Sequence, residues 1–361
     1  MTRWNHNVYL ILLSLLPLGC VEPVERVCRI VVIPKGLTHE HWQSIHRGAS
    51  RAAEELSARG LPTEIIWDGP LRERDALEQI RIVDRRVSTR VDGMVLAPQH
   101  SLTMVAPVER AREQGIPTVL MDSNLDAQAL AADPDLIAKY IATNNYNGGR
   151  LAARHLLKVL RDEGKTAPRL VLFRYQVGSE STEQRERGFE DYVNDVIAEQ
   201  QRKGEPTITW LSTDKYAGAT KDTALREAAP LVNRLREQID GIFAVNESSA
   251  SGMLDALRSL GLNGQVRLMG FDSSPPLLQA VREGDIDGLI LQDPYWMGYL
   301  SVWTLVHHLA GYDVSGTDQI IGTGEFLITK KNLDDPHTRG LYNPEAQKQR
   351  KLRPPEFVKK G

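Results

Sequence analysis

At 361 residues, with 41% hydrophobic and 25% charged side chains, the chain exceeds what one hydrophobic core usually sustains, roughly 250–300 residues, so two globular domains are expected. A formal net charge of −3 supplies no basic face for phosphates and argues against nucleic acid as a partner. Only Cys20 and Cys28 are present, which excludes a disulfide framework.

The first twenty residues read as an export leader. Arg3 and the free amine precede residues 8–18, an apolar run broken only by Ser14 and Pro17. That run is too short to cross a bilayer, which takes about 20 residues, and has the length of a signal-peptide core. It closes on Leu16-Pro17-Leu18-Gly19-Cys20, which resembles the lipobox of bacterial lipoproteins, with Pro17 where that motif has leucine. The resemblance implies acylation of Cys20 and a lipid anchor to the membrane. Residues 1–20 are then the leader and 21–26 a tether. Cys28 opens an apolar run and reads as a half-buried structural thiol.

Strand-like and helix-like segments alternate from there on. Residues 28–33 form a first strand, followed by a helical stripe of Trp42, Ile45, Ala49, Ala52, Ala53 and Leu56. Further strands are expected at 63–67, 93–97, 118–121, 169–173, 207–211, 241–245, 266–271 and 288–291. A helix over 147–160 stops before Gly164, and another is entered through Ser273-Ser274-Pro275-Pro276, with serine for the cap and proline for the first turn. This alternation predicts an α/β protein with two doubly wound, Rossmann-like parallel sheets. No Gly/Ser linker separates them, so the expected connection is a hinge of a few residues at element ends. The Pro-containing, charged tail from Asn332 onward reads as a surface extension that packs locally and then frays.

Two segments recur. Asp92-Gly93-Met94-Val95-Leu96-Ala97 matches Asp240-Gly241-Ile242-Phe243-Ala244-Val245, and Val119-Leu120-Met121-Asp122-Ser123 matches Met269-Gly270-Phe271-Asp272-Ser273, each about 150 residues downstream. The halves are therefore similar, and each brings strand ends to a common cleft. Three apolar runs end on a single polar residue: Asn246, Asp272 and Gln292. In open α/β sheets small molecules bind beyond the carboxyl ends of the strands, so these residues are binding candidates. Each also has a plainer role: Asp272 can shape a turn, Asn246 can cap the helix that follows, and Gln292 can serve a hinge.

No catalytic constellation is present, and no cofactor is expected. His39, His41 and His46 do not fall on one face of a regular element and no cysteine joins them, so a metal site is not expected. No Walker lysine follows Gly148-Gly149, and Ser248, Ser249 and Ser251 lack the context of a nucleophile elbow.

The chain resembles the type I periplasmic solute-binding proteins, in the ribose-binding branch, from about Val27 to about Asp335. The stretches that carry the resemblance include residues 34–42, 92–98, 116–123 and 145–149, with 241–252, Gly270-Phe271-Asp272 and Gln292-Asp293-Pro294. It implies three chain crossings between domains, near Thr143-Asn144, Gln292-Asp293 and Gly322-Thr323. One domain is then 27–142 plus 293–322, the other 143–292 plus 323–340, and 341–361 is a polar tail.

The resemblance also implies a monosaccharide in the interdomain cleft. Asp122, Asn246, Asp272 and Gln292 would hydrogen-bond its hydroxyls, while Trp42 and Tyr216 would cover its C–H faces. Trp42 can equally be a core residue of its helix. His41 stands where the family often has a second aromatic residue. Arg185 is the arginine nearest the family's sugar-gripping position before Gly188-Phe189. The function implied is that of a monomeric, membrane-anchored periplasmic or cell-surface protein that delivers sugar to the permease of an ABC importer. The alternative is a sensory protein that binds a sugar or autoinducer and docks on a membrane receptor. Repressors of the lac type share the ligand-binding fold but add an N-terminal helix-turn-helix, for which the sequence has no counterpart.

Overall fold

The computed structural model describes residues 26–315 and 320–360. The leader, the lipobox and Cys20 lie outside the described residues. Cys28 is a half-buried free thiol whose pKa burial, and then the charge of Asp92, push up to about 11.

The first half of the chain runs β1 (Cys28–Ile33), α1 (Glu40–Ala58), β2 (Thr63–Trp67), α2 (Ala76–Ser88), β3 (Gly93–Leu96), α3 (Val105–Glu113), β4 (Thr118–Met121), α4 (Ala127–Ala132) and β5 (Lys139–Ala142). The second runs α5 (Asn145–Asp162), β6 (Arg169–Arg174), α6 (Glu180–Lys203), β7 (Thr209–Tyr216), α7 (Lys221–Leu235), β8 (Gly241–Ala244), α8 (Glu247–Ser259), β9 (Arg267–Phe271), α9 (Pro275–Glu283) and β10 (Gly288–Leu291). After these come α10 (Pro294–Leu309), β11 (Tyr312–Asp313), β12 (Ile320–Gly322), β13 (Phe326–Ile328), α11 (Pro336–Tyr342), α12 (Pro344–Lys348) and β14 (Val358–Lys359).

Two six-stranded sheets result, in the orders β12-β5-β4-β3-β1-β2 and β13-β10-β9-β8-β6-β7. Every described pairing in them is parallel except β10 with β13. The core of each sheet has the same 2-1-3-4-5 winding, which accounts for the recurrence of the two sequence segments. Strands β3, β4, β8 and β10 are buried throughout because helices cover both faces, hence their unbroken apolar runs. Each sheet thus carries two hydrophobic clusters, one per face.

The chain passes between sheets at three places. Asn144 caps α5, its side chain accepting from Asn147 N at 3.0 Å, and Asp293 caps α10, accepting from Trp296 N at 3.0 Å. Thr323, just after Gly322, donates its backbone N–H to Ala142 O at 3.0 Å, and its hydroxyl lies 3.4 Å from that of Thr143.

Glycines set how closely the covering helices approach. A Cβ at Gly149 of α5 would lie 2.0 Å from the backbone oxygen of Arg185, and one at Gly188 of α6 would lie 2.0 Å from that of Tyr146. Only glycine at both points permits this crossing, which seats Arg185 at the mouth of the second sheet.

The tail from Asn332 departs from expectation: its described residues, up to 360, pack back onto both lobes. Leu333 and Leu341 are buried against the second sheet. Gln347 then donates to Ser44 Oγ at 2.9 Å, and Arg350 forks onto both oxygens of the buried Asp293 at 2.7 and 2.5 Å. Leu352 and Phe357 pack on the core of the first lobe, and β14 pairs with β11. The chain thus crosses between lobes a fourth time. Its partners lie 303 positions away for Gln347 and 57 for Arg350, beyond the reach of local periodicity.

Candidate functional site

The carboxyl ends of the two sheets face each other across a narrow cavity. Asp122 follows β4 and Asp272 follows β9, at equivalent places in the two halves. Both take left-handed backbone conformations, with φ of 62° and 65°, and each backbone N–H donates across to the neighbouring strand, Asp122 to Ile141 O and Asp272 to Ile290 O. Of non-glycine residues, aspartate and asparagine adopt this region most readily. The turn aims both carboxylates into the cleft, where they are 4% and 9% exposed.

The partners of the two aspartates differ. Asp122 Oδ2 lies 2.8 Å from Lys35 Nζ, which also donates to Ser123 Oγ at 2.7 Å and Ser181 Oγ at 3.0 Å. Burial pushes the Asp122 carboxyl upward, but Lys35, and then His41 and Arg185, outweigh it and hold the group well below the usual carboxylate range. Asp272 Oδ2 accepts from Arg185 at 3.3 Å and its Oδ1 from Gln292 Nε2 at 2.6 Å. Arg185 is itself fixed by Asn145 Oδ1 at 2.8 Å and Val245 O at 3.0 Å, with its guanidinium 3.7 Å from the Phe271 ring centroid. His41 sits between the two carboxylates, Nε2 at 3.2 Å from Asp122 Oδ1 and Nδ1 at 3.9 Å from Asp272 Oδ1. The shorter approach lacks the angle of a hydrogen bond.

A second buried carboxylate braces the aromatic wall. Glu73 accepts from Trp42 Nε1 at 2.6 Å, lies 2.8 Å from His39 Nδ1, and accepts from the Tyr175 hydroxyl of the opposite lobe. Burial works against both ionised partners, yet their mutual attraction prevails: the Glu73 pKa falls to about 2 and that of His39 rises to about 9. Trp42 belongs to the core and to the cavity wall at once. Contacts between lobes close the cleft: Lys35 and Ser123 meet Ser181, Tyr175 meets Glu73, and Asn124 N donates to Glu180 at 3.2 Å.

His41, Trp42, Asp122, Arg185, Asn246 and Asp272 therefore line one cavity. Gln292 lines an adjoining one, with Leu341 and Tyr342 of the tail. Asn246 is also a helix cap: its Oδ1 accepts from Ser249 N at 3.1 Å and from Ser249 Oγ at 2.7 Å. Tyr216 is a correction. It ends the edge strand β7, 41% exposed, and does not line the cavity. β7 is the outermost strand of its sheet, beyond β6, so its end lies away from the strand ends that face the cavity. The aromatic residue that joins Trp42 at the cavity is Tyr175, which follows β6.

Lys35, His39, Glu73, Tyr175, Ser181 and Glu247 also line the cavity and escaped sequence reading. Lys35 and Tyr175 follow the ends of β1 and β6, so the strand-end rule that selects Asp272 would have found both. Glu73 lies in the connection from β2 to α2, where no periodicity marks it. The three histidines serve three separate partners, with His39 on Glu73, His41 between the aspartates and His46 stacked on Trp67.

A family model described as the periplasmic binding protein domain matches residues 30–313. The chain belongs to this family, in its ribose-binding-like branch. It is 28% identical over 319 residues to the D-ribose/D-allose-binding protein of Pseudomonas aeruginosa, covering 88% of this chain and 93% of that protein. Among solved structures it resembles a carbohydrate transporter solute-binding protein from Agrobacterium radiobacter, in complex with D-arabinose (TM-score 0.76, 30% identity, 88% of this chain and 99% of that one). It also resembles an ABC transporter solute-binding protein from Agrobacterium vitis with bound D-fucose (TM-score 0.76, 28% identity, 87% and 99% covered). The expected pair of doubly wound α/β domains is the fold of this periplasmic binding protein family. As a member of it, the chain is a binding protein and not an enzyme.

Proposed function

We propose that this protein captures a neutral monosaccharide on the periplasmic side of the membrane and presents it to the permease of an ABC importer. The observation that carries the reading is the pair Asp122 and Asp272: two buried carboxylates held in equivalent left-handed turns, one from each lobe, on opposite sides of one cavity. Carboxylates and amides around an aromatic wall suit a ring that presents hydroxyls at its edge and C–H groups on its faces. Near neutral pH the charges of Lys35, Arg185 and the protonated His39 offset those of Glu73, Asp122 and Asp272 and leave only Glu247 over, which disfavours an anionic ligand. Relatives named for ribose and allose, and neighbours in complex with arabinose and fucose, support a pentose or hexose.

In this reading Asp122, Asp272, Arg185, Asn246, Gln292 and His41 hold the hydroxyls and Trp42 covers a ring face. The two lobes, residues 27–142 plus 293–322 and 143–292 plus 323–340, close about Thr143, Asn144, Asp293, Gly322 and Thr323. The protein is a monomer tethered by lipid on Cys20, and the permease recognises the closed form.

A thermal-shift screen of residues 21–361 against pentoses, hexoses, polyols and nucleosides tests this. A ligand at 100 times its dissociation constant adds about 2.7 kcal/mol of stability. One sugar should raise the melting temperature, and Asp272→Ala should abolish that response. A panel in which no sugar shifts the transition would sink the assignment.

A further inference from the structure

Four carboxylates line the cavity, and three have protein partners: Glu73, Asp122 and Asp272. The fourth, Glu247, has no hydrogen bond or ion pair among the described residues, and its Oε2 is buried without a partner. We propose that Glu247 is a ligand-reading residue, whose carboxylate accepts a hydrogen bond from a sugar hydroxyl and so makes capture dependent on pH.

A carboxylate taken from water without a compensating donor is expensive, and proteins seldom keep one that does nothing. A glutamate in the first turn of a helix such as α8 is favourable for the helix dipole, but one facing solvent serves that purpose equally well. Burial against the cavity needs a second reason, and a ligand donor supplies it.

The neighbours agree. Glu247 is faced by His39 and His41 at the start of α1, by Glu73 from the connection after β2, and by Asp272 from the end of β9. Burial, first, and the charges of Asp272 and Glu73 raise its pKa to about 7, against the pull of His39 and His41. The group therefore changes charge within the physiological range, whereas His39, at about 9, and Glu73, at about 2, do not. A hydroxyl that donates to the ionised form binds with proton release, so affinity is greatest above pH 7 and weakens as pH falls below it.

This inference rests on the sugar-capture reading, and the test separates the two. The sugar that shifts the melting of the wild type is titrated calorimetrically into wild type and Glu247→Gln at pH 8, 7, 6 and 5. Wild-type affinity should fall at least tenfold from pH 8 to pH 5. Glu247→Gln should bind about tenfold more weakly at pH 8 and show a flat pH profile. The same variant, freed of a buried unpaired charge, should melt at a higher temperature than wild type at pH 8 without sugar, which a purely structural role for Glu247 would reverse. Binding by Glu247→Gln with wild-type affinity, or with the pH dependence intact and hence owed to another group, overturns the inference and leaves the sugar reading standing. A wild type that binds no sugar of the panel overturns both.

Discussion

Asp122 and Asp272 occupy the same place in two similar halves, yet the surroundings that hold them are built differently. Asp122 faces a lysine, a point charge whose ammonium is shared among a carboxylate and three serine hydroxyls, two of them on the opposite lobe. Asp272 faces an arginine whose plane rests on Phe271 and whose other donors are fixed by Asn145 and Val245 of its own lobe. Lysine's compact, rotatable donors suit a contact that is remade between lobes, and arginine's flat fork suits one that is preset within a lobe. In the proposed hinge motion the first half of the cleft would gain its full set of bonds only on closure, while the second would be organised beforehand. Backbone geometry is common to both halves, and the partners differentiate them.

The comparison breaks most severely at Lys35. Its replacement by Met leaves Asp122 buried with His41 as the remaining close partner in its lobe, and breaking a buried pair in this way costs about 3–5 kcal/mol. Chemical denaturation should show a loss of that order for Lys35→Met. The double variant Lys35→Met, Asp122→Asn should recover part of it, because the orphaned charge is gone.

A smaller effect comes from the His39–Glu73 pair, which has no counterpart among the described ion pairs of the second half. The His39 pKa stands at about 9 in the fold against an ordinary 6.5. The stabilisation is therefore complete below about 6.5 and is lost as pH rises through about 9. The unfolding free energy should drop by on the order of 2–3 kcal/mol between pH 6.5 and pH 10, and the drop should be largely absent in His39→Gln.

The smallest effect sharpens what the halves share. Both aspartates sit at positive φ, where alanine is strained and glycine is not. Asp272→Gly should be more stable than Asp272→Ala by about 1 kcal/mol, and Asp122→Gly should exceed Asp122→Ala by a similar margin, while all four variants lose sugar affinity. Unequal margins measured by denaturation would mean that the two turns are not equivalent.

Most of the fold was legible because buried parallel strands write themselves as apolar runs, and the duplication announced itself in the two recurring segments. The strand β5 was missed because its run opens on Lys139, which breaks the apolar pattern of a buried strand. The tail was misread because proline and charge look like solvent-exposed chain, while its fate is decided by Asp293 and Ser44, far away in sequence. In the site, residues at strand ends could be read, Asp122 and Asp272 above all. Glu73 could not, since an irregular loop carries no pattern, and Tyr216 was misplaced because the strand order that puts β7 at the sheet edge is not written in the sequence. Asn246 was legible in both its roles, as cap and as cavity wall, since one side chain has more than one polar atom to offer.

The most direct measurement is a crystal structure of the protein grown with the sugar that raises its melting temperature. The account predicts a single sugar in the cleft, with hydroxyls within hydrogen-bond distance of both Asp122 and Asp272 and the Trp42 ring against one face. A sugar held by one lobe alone, or bound outside the cavity between the sheet ends, would contradict it.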